Sequence, residues 1–129
     1  MIRHSKNKST IIVKFDPPLD SFVLAVVHLT SDFHKDKVDV SSRRATQLAA
    51  IHEEISQFQN CGVVGDFNVT AAAADESILT SKLPGFVDSW RVVRPPTDPG
   101  ITFDPTANKL ASITSRSGIP QRFDRMMIS

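Results

Sequence analysis

Cys61-Gly62-Val63-Val64-Gly65-Asp66-Phe67-Asn68 is the stretch that decides the fold. Its apolar first half has the length and composition of a short buried strand. Gly65-Asp66-Phe67-Asn68 closes that strand. Side chains alternate along a strand, so Asp66 and Asn68 are expected on one face and Phe67 on the other. A carboxylate and a carboxamide side by side at a sheet edge can orient a water and stabilise charge on a phosphate ester. Taken alone, the tetrapeptide reads equally well as a strand-to-loop turn, since Gly, Asp and Asn all favour turn geometry. The surrounding sequence has to decide between the two.

The 129 residues are enough for one domain with a real core. Fifteen basic and 14 acidic residues leave a net charge of +1. That balance lacks the global signature of a nucleic-acid binder but leaves room for a local basic patch. Cys61 is the only cysteine. An internal disulfide is therefore impossible, and an intracellular, reducing compartment (nucleus or cytoplasm) is expected. Within its apolar run the thiol reads as buried and inert. The longest apolar run, Phe22 to Val27, is too short to cross a bilayer, so no membrane partner is expected. Met1-Ile2-Arg3-His4-Ser5-Lys6 is basic but has no apolar segment behind it, which argues against a secretory signal.

Outward from the central strand, Thr10–Phe15 and Phe22–Leu29 read as two strands. Asp16-Pro17-Pro18-Leu19-Asp20 turns between them to make a hairpin. The second of these strands is apolar enough for burial on both faces. Residues 1–9 are polar and expected to fray, and Thr30–Val40 reads as a polar loop. Ser41 or Ser42 is placed to cap a helix in which Ala45, Leu48, Ile51, Ile55 and Phe58 recur at helical spacing. Arg44, Gln47, Glu53, Glu54 and Gln57 fall on its opposite, polar face. Asp75 caps a short helix through Lys82. Phe86–Val93 is short and apolar, with Trp90 expected in the core. Residues 94–108 are loop-like, residues 109–121 are weakly patterned, and Arg122–Ile128 reads as a last strand. Strands and helices in this order give an α/β class.

The polar residues at the strand ends form a series. Val27-His28-Leu29-Thr30-Ser31 is followed by Arg44 and Gln47, then Gly65-Asp66-Phe67-Asn68. Asp88-Ser89-Trp90, Gly100-Ile101-Thr102-Phe103-Asp104 and Arg122-Phe123-Asp124-Arg125 complete it. In order and spacing these segments resemble the endonuclease/exonuclease/phosphatase superfamily, and most of all its tyrosyl-DNA phosphodiesterase 2-like branch. The resemblance implies an incomplete four-layer α/β sandwich of the deoxyribonuclease I-like type. It implies a metal-dependent phosphodiester hydrolase acting on nucleic-acid ends such as 5′-tyrosyl DNA, with Mg²⁺ or Mn²⁺ as cofactor. In that family pattern Asp66 orients or deprotonates the attacking water. Asn68 hydrogen-bonds the scissile phosphate or that water, His28 contacts the phosphate and stabilises its developing charge, and Ser31 supports His28. Phe103 lies beside the substrate, where a ring can stack on a base. Asp124 orients a histidine carried by a later strand.

That later Ser-Asp-His segment has no match in the chain, nor has the family's opening strand with its Asn and metal-holding Glu. Residues 1–129 therefore read as one partial domain without its first and last catalytic strands. Low turnover and marginal stability are expected of it. Other activities of the superfamily (ribonuclease, deadenylase, phosphatase) stay open. So does a non-catalytic module that binds nucleic acid or a protein. Several residues also have plain readings. The Asp/Lys/His-rich segment 32–39 is a solvated loop, His52 a helix-face residue, and Asp104-Pro105 a turn. Arg122 and Arg125 could form ordinary surface ion pairs with Asp124 between them.

Overall fold

The structure is a computed structural model that describes residues 2–5, 8–15, 22–31 and 37–129. The Asp16–Asp20 turn and the loop residues Asp32, His34, Lys35 and Asp36 lie outside the described residues. Six strands make one sheet: β1 (Ile2–Ser5), β2 (Lys8–Lys14), β3 (Phe22–His28), β4 (Asn60–Asp66), β5 (Val87–Asp88) and β6 (Asp124–Ile128). Their order across the sheet is β1-β2-β3-β4-β6-β5. The described helices are α1 (Lys37–Ile55), α2 (Ala73–Lys82), α3 (Ser89–Val93) and α4 (Lys109–Thr114).

β2 and β3 pair antiparallel, as a hairpin requires. β3 and β4 run parallel, which needs a crossover, and α1 supplies it. β6 then pairs antiparallel with both β4 and β5. The central run Cys61–Val64 thus has a hydrogen-bonded neighbour on each side. The core lies between one face of the sheet and the helices. Val23, Ala25 and Val27 of β3 meet Leu48, Ile51 and Ile55 of α1, with Val63, Phe67, Leu79 and Met127 around them. Phe67, expected opposite Asp66, is wholly buried in this core.

Several expectations change. The polar N-terminus is not frayed throughout, because Ile2–Ser5 adds an antiparallel edge strand to β2. α1 starts at Lys37, a turn ahead of Ser41 and Ser42. Its buried stripe begins at Val40 and continues through Arg44, Gln47, Leu48, Ile51 and Ile55, all at helical spacing. Arg44 and Gln47 therefore sit on the buried side of α1 rather than on a polar one. Asp75 is inside the first turn of α2, whose N-cap is Ala72. β3 is covered on one face only, since Phe22 and Leu24 are half-buried and Val26 and His28 are exposed. Trp90 is half-buried outside the core, with Arg94 over its ring at 5.3 Å. The weakly patterned 109–121 segment contains α4, capped by Asn108, which accepts from the Leu110 and Ala111 amides.

Candidate functional site

Register brings three polar residues into one row. His28 ends β3 and pairs with Asp66, which ends β4. Asp66 pairs in turn with Asp124, which begins β6. Residues paired across adjacent strands project to the same face. His28 Nε2 lies 3.7 Å from Asp66 Oδ2, and their side chains are 63% and 34% exposed, so both reach solvent. Asp66 and Asp124 are like charges directly opposite one another, an arrangement that destabilises a strand pair unless a cation offsets it. His28 is the basic side chain beside this pair.

Asn68 is not on the strand. Its φ of 50° puts it in the left-handed region, where Asn is one of the few non-glycine residues at ease. Its amide donates to Asp66 Oδ1 at 2.8 Å, an Asx turn. Its Nδ2 donates to the Leu29 carbonyl at 3.0 Å. The turn reading and the site reading of the tetrapeptide therefore describe the same atoms: the turn delivers Asn68 to the row. Strand alternation does not. Gly65 is required next to it. With φ at +132°, a Cβ there would sit 2.1 Å from the Val27 carbonyl oxygen of β3.

Leu29 and Thr30 continue from His28 and are held from α1. Gln47 Oε1 accepts from the Thr30 amide at 3.1 Å and from its hydroxyl at 3.2 Å. Arg44 donates to the Thr30 carbonyl at 3.3 Å and pairs with Asp75 at 3.3 Å. Ser31 is half-buried just beyond. Phe103 is brought to the start of β6 by its bridge to Gln121 and by its ring, 5.5 Å from that of Phe123. Thr102 Oγ1 accepts from the amides of Phe123 and Asp124 at 3.1 and 3.0 Å, which fixes where Asp124 begins its strand. Asp104 does serve a turn, accepting from Thr106 and Ala107, and those hydrogen bonds hold its carboxyl below the ordinary value.

Arg122 and Arg125 do not pair at the surface with Asp124. Both are buried and turn to Asp88, Arg122 through two hydrogen bonds and Arg125 at 3.4 Å. Arg125 also pairs with Glu76 at 2.6 Å. Burial pushes the Asp88 carboxyl up, but hydrogen bonding and charge from Arg122, the charge of Arg125 and the Trp90 amide together hold it below its ordinary value. Asp88, Glu76 and Thr102 support the row, and sequence reading gave none of them a role. The only signal was that Asp88 and Thr102 fall within recognised segments. Beside Asp124 an open pocket of about 610 Å³ is lined by Trp90, Ile101 and Met126 among others.

Among the described residues no group of three His, Cys, Asp or Glu side chains is arranged to hold a metal ion. Asp66 and Asp124 offer carboxylates, but Oδ1 of Asp66 already accepts the Asn68 amide. Mg²⁺ is usually held by one or two carboxylates, with waters and substrate phosphates completing its octahedron. The described residues offer at most this pair, one oxygen of which is already engaged, so by themselves they make an incomplete centre.

No protein-family model matches the chain, and no curated protein matches it in sequence. Solved structures do match in shape. SmcL superposes with a TM-score of 0.77 at 19% identity, over 95% of this chain and 43% of that one. The chain has the deoxyribonuclease I-like fold. A beta toxin variant from Staphylococcus aureus with bound magnesium ions gives 0.71 at 16% identity, over 95% of this chain and 42% of that one. TDP2 from D. rerio, complexed with a single-strand DNA product, gives 0.68 at 23% identity, over 92% of this chain and 45% of that one. The chain thus spans less than half the length of each of these structures. No described helix is long and apolar enough to cross a membrane.

Proposed function

We propose that the chain carries the water-activating and phosphate-binding part of a phosphodiester hydrolase site, acting on nucleic-acid ends such as 5′-tyrosyl DNA. The observation that supports this best is the register row. His28 and Asp66 are 3.7 Å apart at neighbouring strand ends, with Asn68 hydrogen-bonded to Asp66, in a fold shared with TDP2. In this reading Asp66 Oδ2 orients the attacking water and takes its proton. Asn68 and His28 donate to the phosphate oxygens and offset the charge that grows on them. Ser31 lies near the phosphate, Phe103 stacks on a base, and Asp124 holds a histidine supplied by another strand. The 129 residues form the central part of a larger catalytic domain. Mg²⁺ or Mn²⁺ belongs to this reading only with ligands from that larger domain.

The test is a single-turnover assay with the chain in excess over a 5′-tyrosyl oligonucleotide, in Mg²⁺ and in Mn²⁺. Slow hydrolysis is expected, and Asp66→Asn should lower it at least about 100-fold. A rate indifferent to that substitution sinks the assignment. Poly(A) and a phosphoinositide, run in parallel, separate the deadenylase and phosphatase alternatives.

A second reading is a binding module without chemistry. Salt-dependent DNA binding indifferent to Asp66→Asn, with no hydrolysis in either metal, would support it.

A further inference from the structure

Leu29 and Thr30 share one peptide unit, and that unit is gripped at both ends. Its carbonyl, from Leu29, accepts Nδ2 of Asn68 at 3.0 Å. Its N–H, from Thr30, donates to Oε1 of Gln47 at 3.1 Å. A peptide is planar, so its C=O and N–H point in opposite directions and turn together. Gln47 cannot release the N–H without freeing the carbonyl to rotate away from Asn68. We infer that Gln47 is a positioning residue that sets the Asn68 carboxamide through the Leu29–Thr30 peptide plane.

Three observations support the relay. Gln47 is 3% exposed and Thr30 8%, so water does not compete freely for these bonds. Oε1 of Gln47 also takes the Thr30 hydroxyl at 3.2 Å, which fixes the amide's orientation because a carbonyl oxygen only accepts. Arg44 holds the next carbonyl, that of Thr30, at 3.3 Å, so the chain cannot swivel from the far side. The Leu29 carbonyl likewise only accepts. It therefore draws the NH₂ end of Asn68 toward itself and leaves Oδ1 on the opposite side of the carboxamide. Hydrogen bonds at both ends of one amide also polarise each other. A buried glutamine on the core face of α1, otherwise an oddity in an apolar stripe, thereby gains a reason.

The inference rests on reading Asn68 as a phosphate contact only for its catalytic consequence; the positioning itself is tested separately. In ¹³C,¹⁵N-labelled chain, a trans-hydrogen-bond coupling should link Asn68 Nδ2 to the Leu29 carbonyl carbon. Its absence overturns the proposal before any variant is made. Gln47→Met keeps the volume but loses the acceptor. It should speed exchange of the Asn68 side-chain amide with water about tenfold. Gln47→Glu keeps an acceptor and should restore the wild-type rate within about twofold. Ile55→Val, which loosens α1 away from Thr30, is the control and should leave Asn68 unchanged. An Asn68 amide indifferent to Gln47→Met, or disturbed equally by Ile55→Val, refutes the relay. In the single-turnover assay Gln47→Met should lower the rate while leaving substrate affinity as it was. If wild type has no turnover, the hydrolase reading falls and the amide measurements still decide the relay.

Discussion

On one face of the sheet Val23, Ala25, Val27, Val63 and Met127 are 5% exposed or less, packed under the helices. On the other, Ile11, Val26 and Met126 stand 54%, 39% and 42% exposed. The two faces are built from the same strands and nearly the same residue types, so composition alone does not separate them. Cover does. Burying an aliphatic side chain stabilises by about 1.5–3 kcal/mol, and that gain is collected on the helical face. The open face contributes little to the fold, and the row His28, Asp66 and Asp124 sits at its end. Residues there are free to be selected for chemistry because packing makes few demands on them.

Four substitutions test this contrast, in descending order of effect. Gly65→Ala strikes the seam between β3 and β4, where a new Cβ meets backbone that cannot give way. A loss above about 4 kcal/mol is expected in urea unfolding, in effect an unfolded chain. Recovery of a stable protein would mean that β4 can part from β3 more easily than the register implies.

Asp88→Asn comes next. It leaves the Arg122 and Arg125 guanidiniums, 7% and 2% exposed, short of a counter-charge. A cost of about 3–5 kcal/mol is expected. The same group sets an acid limit. Its folded pKa is below the ordinary 3.8, so its contribution is complete above that value and is lost as pH falls through the folded one. Wild type should lose stability faster than Asp88→Asn as pH drops below about 3.8. Parallel acid profiles would remove Asp88 from the account.

Leu48→Ala opens a cavity on the covered face and should cost about 2–5 kcal/mol. Val26→Ala, on the open face, should cost below about 1 kcal/mol, because much of that side chain is already in water. Equal costs for these two, read from chemical denaturation, would break the comparison between the faces.

Much of the covered face was legible in the sequence. Cys61–Val64 and the Leu48, Ile51, Ile55 spacing state their elements directly, since burial imposes a period. The open face was not, because Phe22–Leu29 is apolar on both sides and nothing local says which side is covered. Arg44 and Gln47 looked like a solvated stripe. Their partners, Thr30 and Asp75, lie 14 to 31 residues away, so only tertiary structure gives them a buried role. β1, β5 and α4 are too short to establish a period. Within the row, His28, Asp66, Asn68 and Asp124 were identifiable as candidates, but their alignment depends on register, which no local pattern encodes. Asn68 was placed by strand alternation and is delivered instead by a left-handed turn. The Asp88 network leaves no local mark in the sequence because its ends are 34 and 37 residues apart.

Chain order bears on how the sheet comes together. Of the described elements, β6 is the last to be synthesised, yet it belongs between β4 and β5. At roughly 5–20 residues per second, β4 waits some seconds on the ribosome with one edge unpaired. During that interval the apolar strand Cys61–Val64 is a template for any other extended chain. The closing strand lies 58 residues beyond the end of β4, from Asp66 to Asp124, and non-local pairings of this kind slow folding. Yield in cells should therefore respond to chaperones and to translation rate.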